Sequence, residues 1–382
     1  MRARPLYSVV LLTIALAGAH AAEEGGNRFL VLAHEGYEAS INGADENAIR
    51  AFEAALAIEP GRLEVAIYLI QLYRKTGRNT DAIDRCQRVL ERHPDDVETL
   101  YLLAATHSEL RDPKAAVAAL ERACRIDAYH ARAHLLLGQE YVTLGSFEEA
   151  IETLTRVRVW RPGNDLLHLY LGQAYLGTQQ PDQAEQALTE AARLAPFDAQ
   201  PYFHMGRLYR MLGDADRSRE MMERFQALQV RSQERERLSR AARQNPDDAR
   251  GWFLLADHYM RGGQTREALS PLGSAIEADS TNASYRDMRA HVYLRLGITD
   301  QAQADAIAAI RIDPTVGAYY NTLGTCALSE SKATMAAEAF RQAIRVDGNV
   351  PAFHLNLSRA LDALGDGAGA ERHRQAAGDV GK

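Results

Sequence analysis

Prolines recur along this chain with a fixed period. Pro60, Pro94, Pro162 and Pro196, with Ala128 in the same slot, stand 34 residues apart, and Pro246, Ser280, Pro314 and Gly348 repeat that step. Between Pro196 and Pro246 the step is 50, one period plus 16 inserted residues. A unit of this length cannot bury an apolar face alone, so copies must stack on either side of it. The chain is therefore expected to be a linear array whose register breaks once.

Inside each period the apolar and small residues fall at helical spacing. In 251–276 they are Trp252, Leu255, Ala256, Tyr259, Gly263, Ala268, Leu272 and Ala275, which read as two helices meeting at a glycine turn. The fourth period repeats this with Leu137, Gly138, Tyr141, Gly145, Ala150, Leu154 and Val157. The third is degenerate at its turn, with Arg111 in the glycine slot, and Asp112-Pro113 is expected to restart a helix there. The ninth carries Ser331 in that slot.

This pattern resembles the tetratricopeptide repeat. The resemblance implies an all-α fold, a superhelical solenoid of about nine helix-turn-helix repeats. A polar element after Val350, turning to Gly, Arg and Gln, is expected to be the capping helix. Residues 27–230 then form a first block of six repeats, 231–246 an inserted helical extension, and 247–382 a second block of three repeats plus the cap. The insertion contains no Gly and no Pro before Pro246, so one helix is expected from about Arg217 to Gln244. Arg217–Arg243 holds eight Arg and four Glu, and Glu220–Arg224 and Glu236–Arg240 have the order that supports an exposed helix. It reads as a solvated spacer or as a docking spur.

The first residues form a separate object. Arg2 and Arg4 precede an apolar run over Leu6–Ala17, and Ala19-His20-Ala21 fits a small-x-small cleavage site. Residues 1–21 are thus expected to be a secretory signal and the protein periplasmic or secreted, with membrane contact only through an uncleaved signal or a membrane-bound partner. The three cysteines, Cys86, Cys124 and Cys326, occupy apolar slots, and a Cys86–Cys124 bridge stays open at this point.

Across 382 residues the composition is 46% hydrophobic and 25% charged, an ordinary globular balance, and the net charge of −7 argues against nucleic acid as a partner. The repeats leave almost no residues over for catalysis. There is no phosphate-cradling glycine loop, nucleophile elbow or paired cysteine set. His34-Glu35-Gly36-Tyr37-Glu38 has Glu where a metalloprotease helix needs its second His. His130 and His134 share a helix face, but His134, His168 and His354 fall in the slot that Trp252 fills, which packing explains. The expectation is no enzyme, no cofactor and no metal.

What the resemblance implies instead is binding. First helices of such repeats line a groove for peptides or partner segments, and the lining positions transfer to Tyr68, Arg74, Tyr101, Tyr170, Phe203, Arg207, Arg210, Arg250, Phe253, His291 and Arg295, with Gln71, Gln139, Gln173 and Asn321 beside them. The Lys and Asn of a chaperone-type carboxylate clamp are absent from those slots. The expected partner is a protein or peptide segment, acidic where it meets Arg207, Arg210, Arg250 and Arg295. Two functions fit: a scaffold in assembly of an envelope or secretion complex, or a non-catalytic substrate-presenting subunit of an envelope polysaccharide or glycosyltransferase system.

Overall fold

The computed structural model describes residues 27–380, and the side chains of 27–378. The segment read as an export signal lies outside the described residues. Among the described residues there are twenty α-helices, one short 3-10 turn and no strand. They form two compact units, divided between Leu228 and Gln229.

The first unit is a stack of antiparallel helix pairs. They are α1 (Arg28–Ile41) with α2 (Asp45–Ile58), α3 (Leu63–Lys75) with α4 (Asn79–Arg92), and α5 (Val97–Glu109) with α6 (Pro113–Ile126). Then follow α7 (Ala131–Leu144) with α8 (Phe147–Trp160), α9 (Asp165–Gly177) with α10 (Pro181–Leu194), and α11 (Gln200–Met211), whose partner is the start of α12 (Ala215–Gln244). The second unit holds α13 (Ala249–Arg261) with α14 (Leu269–Ala278), α15 (Ala283–Arg295) with α16 (Thr299–Ile312), and α17 (Gly317–Ser329) with α18 (Ala333–Val346). It ends with α19 (Pro351–Ala363) and α20 (Gly367–Val380), so the element expected as a single capping helix is a complete pair. Packing is between neighbours throughout, and the core is a chain of small clusters rather than one centre.

Three devices recur with the period and explain why these residues make this fold. The first is the turn inside each pair, where one residue is left-handed. Gly145 at φ +80° fits without cost, while Arg111 (φ +59°), Gln179 (φ +57°) and Ser331 (φ +60°) hold the same conformation with a side chain. At the degenerate third turn, the Asp112 carboxylate accepts from the Ala115 N–H at 3.2 Å and Pro113 opens α6, as its sequence predicts.

The second device is volume matching between the helices of a pair. A Cβ on Gly36 would come within 2.8 Å of the Phe52 ring, and one on Gly172 within 2.6 Å of Leu188. In the second pair the sizes are reversed: Ile70 fills the small slot of α3, and Cys86 is the small residue of α4, in the same buried cluster. Cys86 and Cys326 are buried, Cys124 is half-buried, and none of the three is bridged.

The third device closes the junction between repeats. The Nε2–H of His168 donates to the Pro162 carbonyl at 2.7 Å, and that of His134 to Ala128 at 3.1 Å. The indole N–H of Trp252 donates to Pro246 at 2.9 Å, and His354 lies 3.2 Å from the Gly348 carbonyl. Each ring satisfies a carbonyl that the loop would otherwise leave unpaired. This is the packing role that the shared slot implies.

The inserted residues lengthen α12 rather than forming an element of their own. Its start serves as the second helix of the sixth pair: a Cβ on Gly206 would meet Met222 at 2.8 Å, and the Ser218 hydroxyl donates to the Gly206 carbonyl at 2.9 Å. Its end packs on α13. Ala242 is buried there, and the Arg231 guanidinium reaches the His258 carbonyl at 3.4 Å. The expectation of a wholly solvated spacer therefore gives way to a helix anchored at its end. The expected Glu236–Arg240 pairing is also replaced, since Glu236 has Arg235 at 3.8 Å, and Arg224 lies over the Tyr202 ring at 4.7 Å instead of pairing with Glu220.

Candidate functional site

Successive first helices stand in register one period apart, so residues of equal slot meet side by side. In the first unit this turns several of the expected groove residues into struts between repeats. Arg74 on α3 forms an ion pair with Glu109 on α5 at 2.6 Å, and the Tyr170 hydroxyl on α9 donates to Gln139 on α7 at 2.8 Å. Between them, the Ser108 hydroxyl donates to Glu140 at 2.6 Å. Tyr68 packs edge-on against Phe52 with its hydroxyl 3.5 Å from that of Ser40, and Tyr101 lies under the Arg132 guanidinium at 4.7 Å. Burial pushes the Tyr170 hydroxyl up to about 12, with the Glu140 carboxylate adding to the effect. These four side chains shape a surface, but Arg74, Tyr68 and Tyr170 have their polar ends engaged and Tyr101 has its ring face covered by Arg132.

Arg207 and Arg210 differ. They lie three apart on α11, both exposed, and neither has an ion pair with a described residue. Phe203 beside them is half-buried, with its ring 5.2 Å from those of both Phe225 and His204. His204 is buried with an unpartnered Nδ1, and burial, helped by the nearby Arg207 charge, lowers its pKa to about 4. A neutral imidazole here leaves the arginines as the only charge on this face of α11.

In the second unit Arg250 is exposed in the first turn of α13, which Asp248 caps, and Phe253 packs on Tyr285 at 5.1 Å. Arg295 is exposed at the end of α15 without a described partner. His291 belongs to a cluster that the sequence did not reveal. Its Nε2 lies 3.3 Å from the Thr322 hydroxyl and 3.6 Å from Asp287, while Thr322 donates to Asp287 at 2.7 Å. Burial raises the Asp287 carboxyl above its ordinary range. Asn356 donates to Asn321 at 2.8 Å one repeat further on. The missed residues Glu109, Asp287, Thr322 and Asn356 stand about one period from residues already singled out, and that spacing was the available signal.

The two histidines that share a helix face are spent on the backbone. His130 caps α7 through Nδ1, which accepts from the Ala133 N–H at 3.1 Å, and His134 is engaged with the Ala128 carbonyl. Burial raises the thiols of Cys86 and Cys124 to about 12 and that of Cys326 to about 11, which disfavours the thiolate. No group of three or more His, Cys, Asp or Glu side chains among the described residues is placed to hold a metal. Among the described residues no helix is long and apolar enough to cross a membrane.

Comparison with known proteins gives the same repeat. Two family models described as tetratricopeptide repeat match, one over residues 42–106 and the other over 135–199, 169–229, 235–283 and 288–345. A model described as anaphase-promoting complex, cyclosome, subunit 3 matches residues 75–157. Anaphase-promoting complex subunit 3 of Schizosaccharomyces pombe is 24% identical over 128 residues, 34% of this chain, and the chain spans only 19% of that protein. Among solved structures, a tetratricopeptide repeat protein from Parabacteroides merdae is 14% identical with a TM-score of 0.45, covering 79% of this chain and 99% of its own. A crystal structure of MamA protein is 25% identical with a TM-score of 0.42, over 45% of this chain and 94% of its own.

Proposed function

We propose, because the chain belongs to the tetratricopeptide repeat family, that this protein-interaction scaffold is non-catalytic and captures an acidic segment of a partner in the assembly of an envelope or secretion complex. The observation that carries the reading is the pair Arg207 and Arg210: exposed, three apart on one first helix, beside the aromatic Phe203, and without a described carboxylate. Arginine offers a planar fork that matches a carboxylate, and an adjacent aromatic adds contact at low entropy cost, the make-up of binding hot spots. In the second unit Arg250 with Phe253, and Arg295, offer the same chemistry on first helices. The struts at Arg74, Tyr101 and Tyr170 hold the remaining first helices in place and contribute shape.

Placement in the cell envelope rests on the basic start, the apolar run and the Ala19-His20-Ala21 site at the N-terminus. Membership in a complex is the role that the name of anaphase-promoting complex subunit 3 gives that relative. Affinity capture from envelope fractions, read by mass spectrometry at low and high salt, tests the proposal. Wild-type chain is expected to retain a discrete, salt-sensitive partner that an Arg207→Ala/Arg210→Ala/Arg250→Ala variant releases while keeping its helical signal. Unchanged capture by the folded variant overturns the arginine assignment, and a partner found only in the cytosolic fraction overturns the envelope placement.

A further inference from the structure

Within the first unit, three tyrosines treat a carboxylate in the same way. Tyr73 donates its hydroxyl to Glu53, Tyr141 to Glu121 at 2.8 Å, and Tyr209 to Glu185 at 2.8 Å. In each case the glutamate lies on the helix just before the tyrosine's own, 20 or 24 residues back. An arginine completes two of these sites. Arg78 stacks over Tyr73 at 4.7 Å with Glu53 at 3.6 Å, and Arg217 stacks over Tyr209 at 4.4 Å with Glu185 at 3.5 Å. The fold thus contains its own template for holding a carboxylate: a tyrosine O–H, an arginine fork and the facing helix.

Tyr259 occupies the same slot of α13, and the helix before it is the end of α12. The positions 20 and 24 residues back are Ser239 and Arg235, so neither slot that supplies the glutamate elsewhere holds one here. Instead, a cavity of ≈510 Å3 opens between the two helices, lined by Tyr259, Ser239, Arg235, Arg240, Arg243, Glu236 and Gln244. Tyr175 and Tyr293 also lack a glutamate, but their facing slots hold Thr155 and Ile151, and Gly273 and Leu269, with no charge to attract a ligand. Most of the α12 arginines are occupied: Arg217, Arg219 and Arg237 in ion pairs, Arg224 over a ring, Arg231 on a carbonyl. The two without a described partner, Arg240 and Arg243, both face this cavity.

We infer that the cavity between the end of α12 and α13 is a binding site for a side-chain carboxylate of an acidic protein segment, which takes the place that Glu53 or Glu185 takes beside Tyr73 or Tyr209. Three arginines against one glutamate give the lining a net positive charge within an acidic chain, and the tyrosine hydroxyl supplies the neutral donor that the template uses. The volume exceeds a single carboxylate, so the incoming group arrives on a segment. This deepens the scaffold reading, on which it rests for the partner's being a protein, but the site is separate from Arg207 and Arg210.

Fluorescein-labelled hexaglutamate, titrated against the full chain by anisotropy, tests the site without a known partner. Wild-type binding is expected, falling as salt rises, and Arg240→Ala/Arg243→Ala should weaken it about tenfold or more. Ser239→Glu rebuilds the internal template, and should abolish probe binding while raising the melting temperature. Gln233→Glu places the same charge on the same helix outside the cavity and should change binding little, as should Arg207→Ala/Arg210→Ala. Equal affinity of the Arg240/Arg243 variant, equal losses for Ser239→Glu and Gln233→Glu, or no binding by wild type would each overturn the assignment. Displacement of the probe by inorganic phosphate more effectively than by succinate would assign the cavity to phosphate and overturn the carboxylate. A loss confined to the Arg207/Arg210 variant would place the probe on α11 and leave the scaffold reading standing alone.

Discussion

The Arg231 guanidinium fills the space in which a side chain on Gly262 would begin: a Cβ built there overlaps Nη2 and Cζ of the arginine. Gly262 is buried at φ −86°, so ordinary backbone geometry would admit any residue, and what an added methyl group would have to displace is the Arg231 guanidinium. From that seat Arg231 reaches the His258 carbonyl near the end of α13, at 3.4 Å, beside the Gly262 N–H that donates to the same oxygen at 3.2 Å. One residue of the insertion therefore fastens the end of α12 to the repeat that follows.

Gly262→Ala is expected to unseat Arg231 and loosen residues 231–243. Limited trypsin digestion should cut the variant there markedly faster than wild type, with the helical circular dichroism nearly unchanged. Identical digestion patterns would show that the fastening lies elsewhere, with Ala242 the next candidate.

Gly138 packs against Leu154 so closely that an added methyl would collide with Cγ and Cδ2 of that fully buried side chain. Gly138→Ala should cost about 1–3 kcal/mol by overpacking, and Leu154→Ala about 2–5 kcal/mol by leaving a cavity. Combined, the two substitutions should cost clearly less than their sum, because each relieves the other's defect. Chemical denaturation of the four variants measures the coupling, and strict additivity would refute the contact.

Arg111, Gln179 and Ser331 hold the left-handed conformation that glycine holds at the equivalent turns. An L-residue there costs about 1–2 kcal/mol, and glycine's extra unfolded-state entropy takes back part of the gain. Ser331→Gly and Gln179→Gly are accordingly expected to stabilise their units by about 0.5–1 kcal/mol, and Gly145→Ala to destabilise by a similar amount. Thermal melts of the single variants decide this, and a drop in stability for the glycine variants would contradict it.

His204 makes the first unit acid-sensitive. Its pKa is about 4 in the folded chain against 6.5 ordinarily, so below 6.5 the unfolded chain binds a proton that the folded chain refuses. Stability at this residue is complete above pH 6.5, declines as pH falls, and is lowest at and below pH 4, a loss of about 3 kcal/mol at most. His134 and His258 shift in the same direction through burial. His204→Leu, the residue type that Leu136 and Leu254 place in this slot, should flatten the dependence between pH 7 and 5 in denaturation experiments. A variant as acid-sensitive as wild type would shift the cause to the other histidines.

The sequence by itself determined the repeat, because the residues that fix it act locally and recur with the period. A glycine at the inner turn, a small residue facing Phe52 or Leu188 and a ring six residues after the closing slot each have one structural meaning, visible at a 34-residue spacing. The same reasoning placed α12 within two residues of its start, since an unbroken run without Gly or Pro continues a helix that has already begun. What only the tertiary structure decided is which polar side chains are spent on neighbours. Arg74 and Arg207 look alike in sequence as arginines on first helices, yet one is paired with Glu109 and the other is not, because pairing depends on what the next repeat offers across the gap. The cavity at Tyr259 was invisible for the same reason. It arises because the two slots opposite Tyr259 hold Ser239 and Arg235 where other repeats hold a glutamate, and that substitution has meaning only once the two helices are seen to meet.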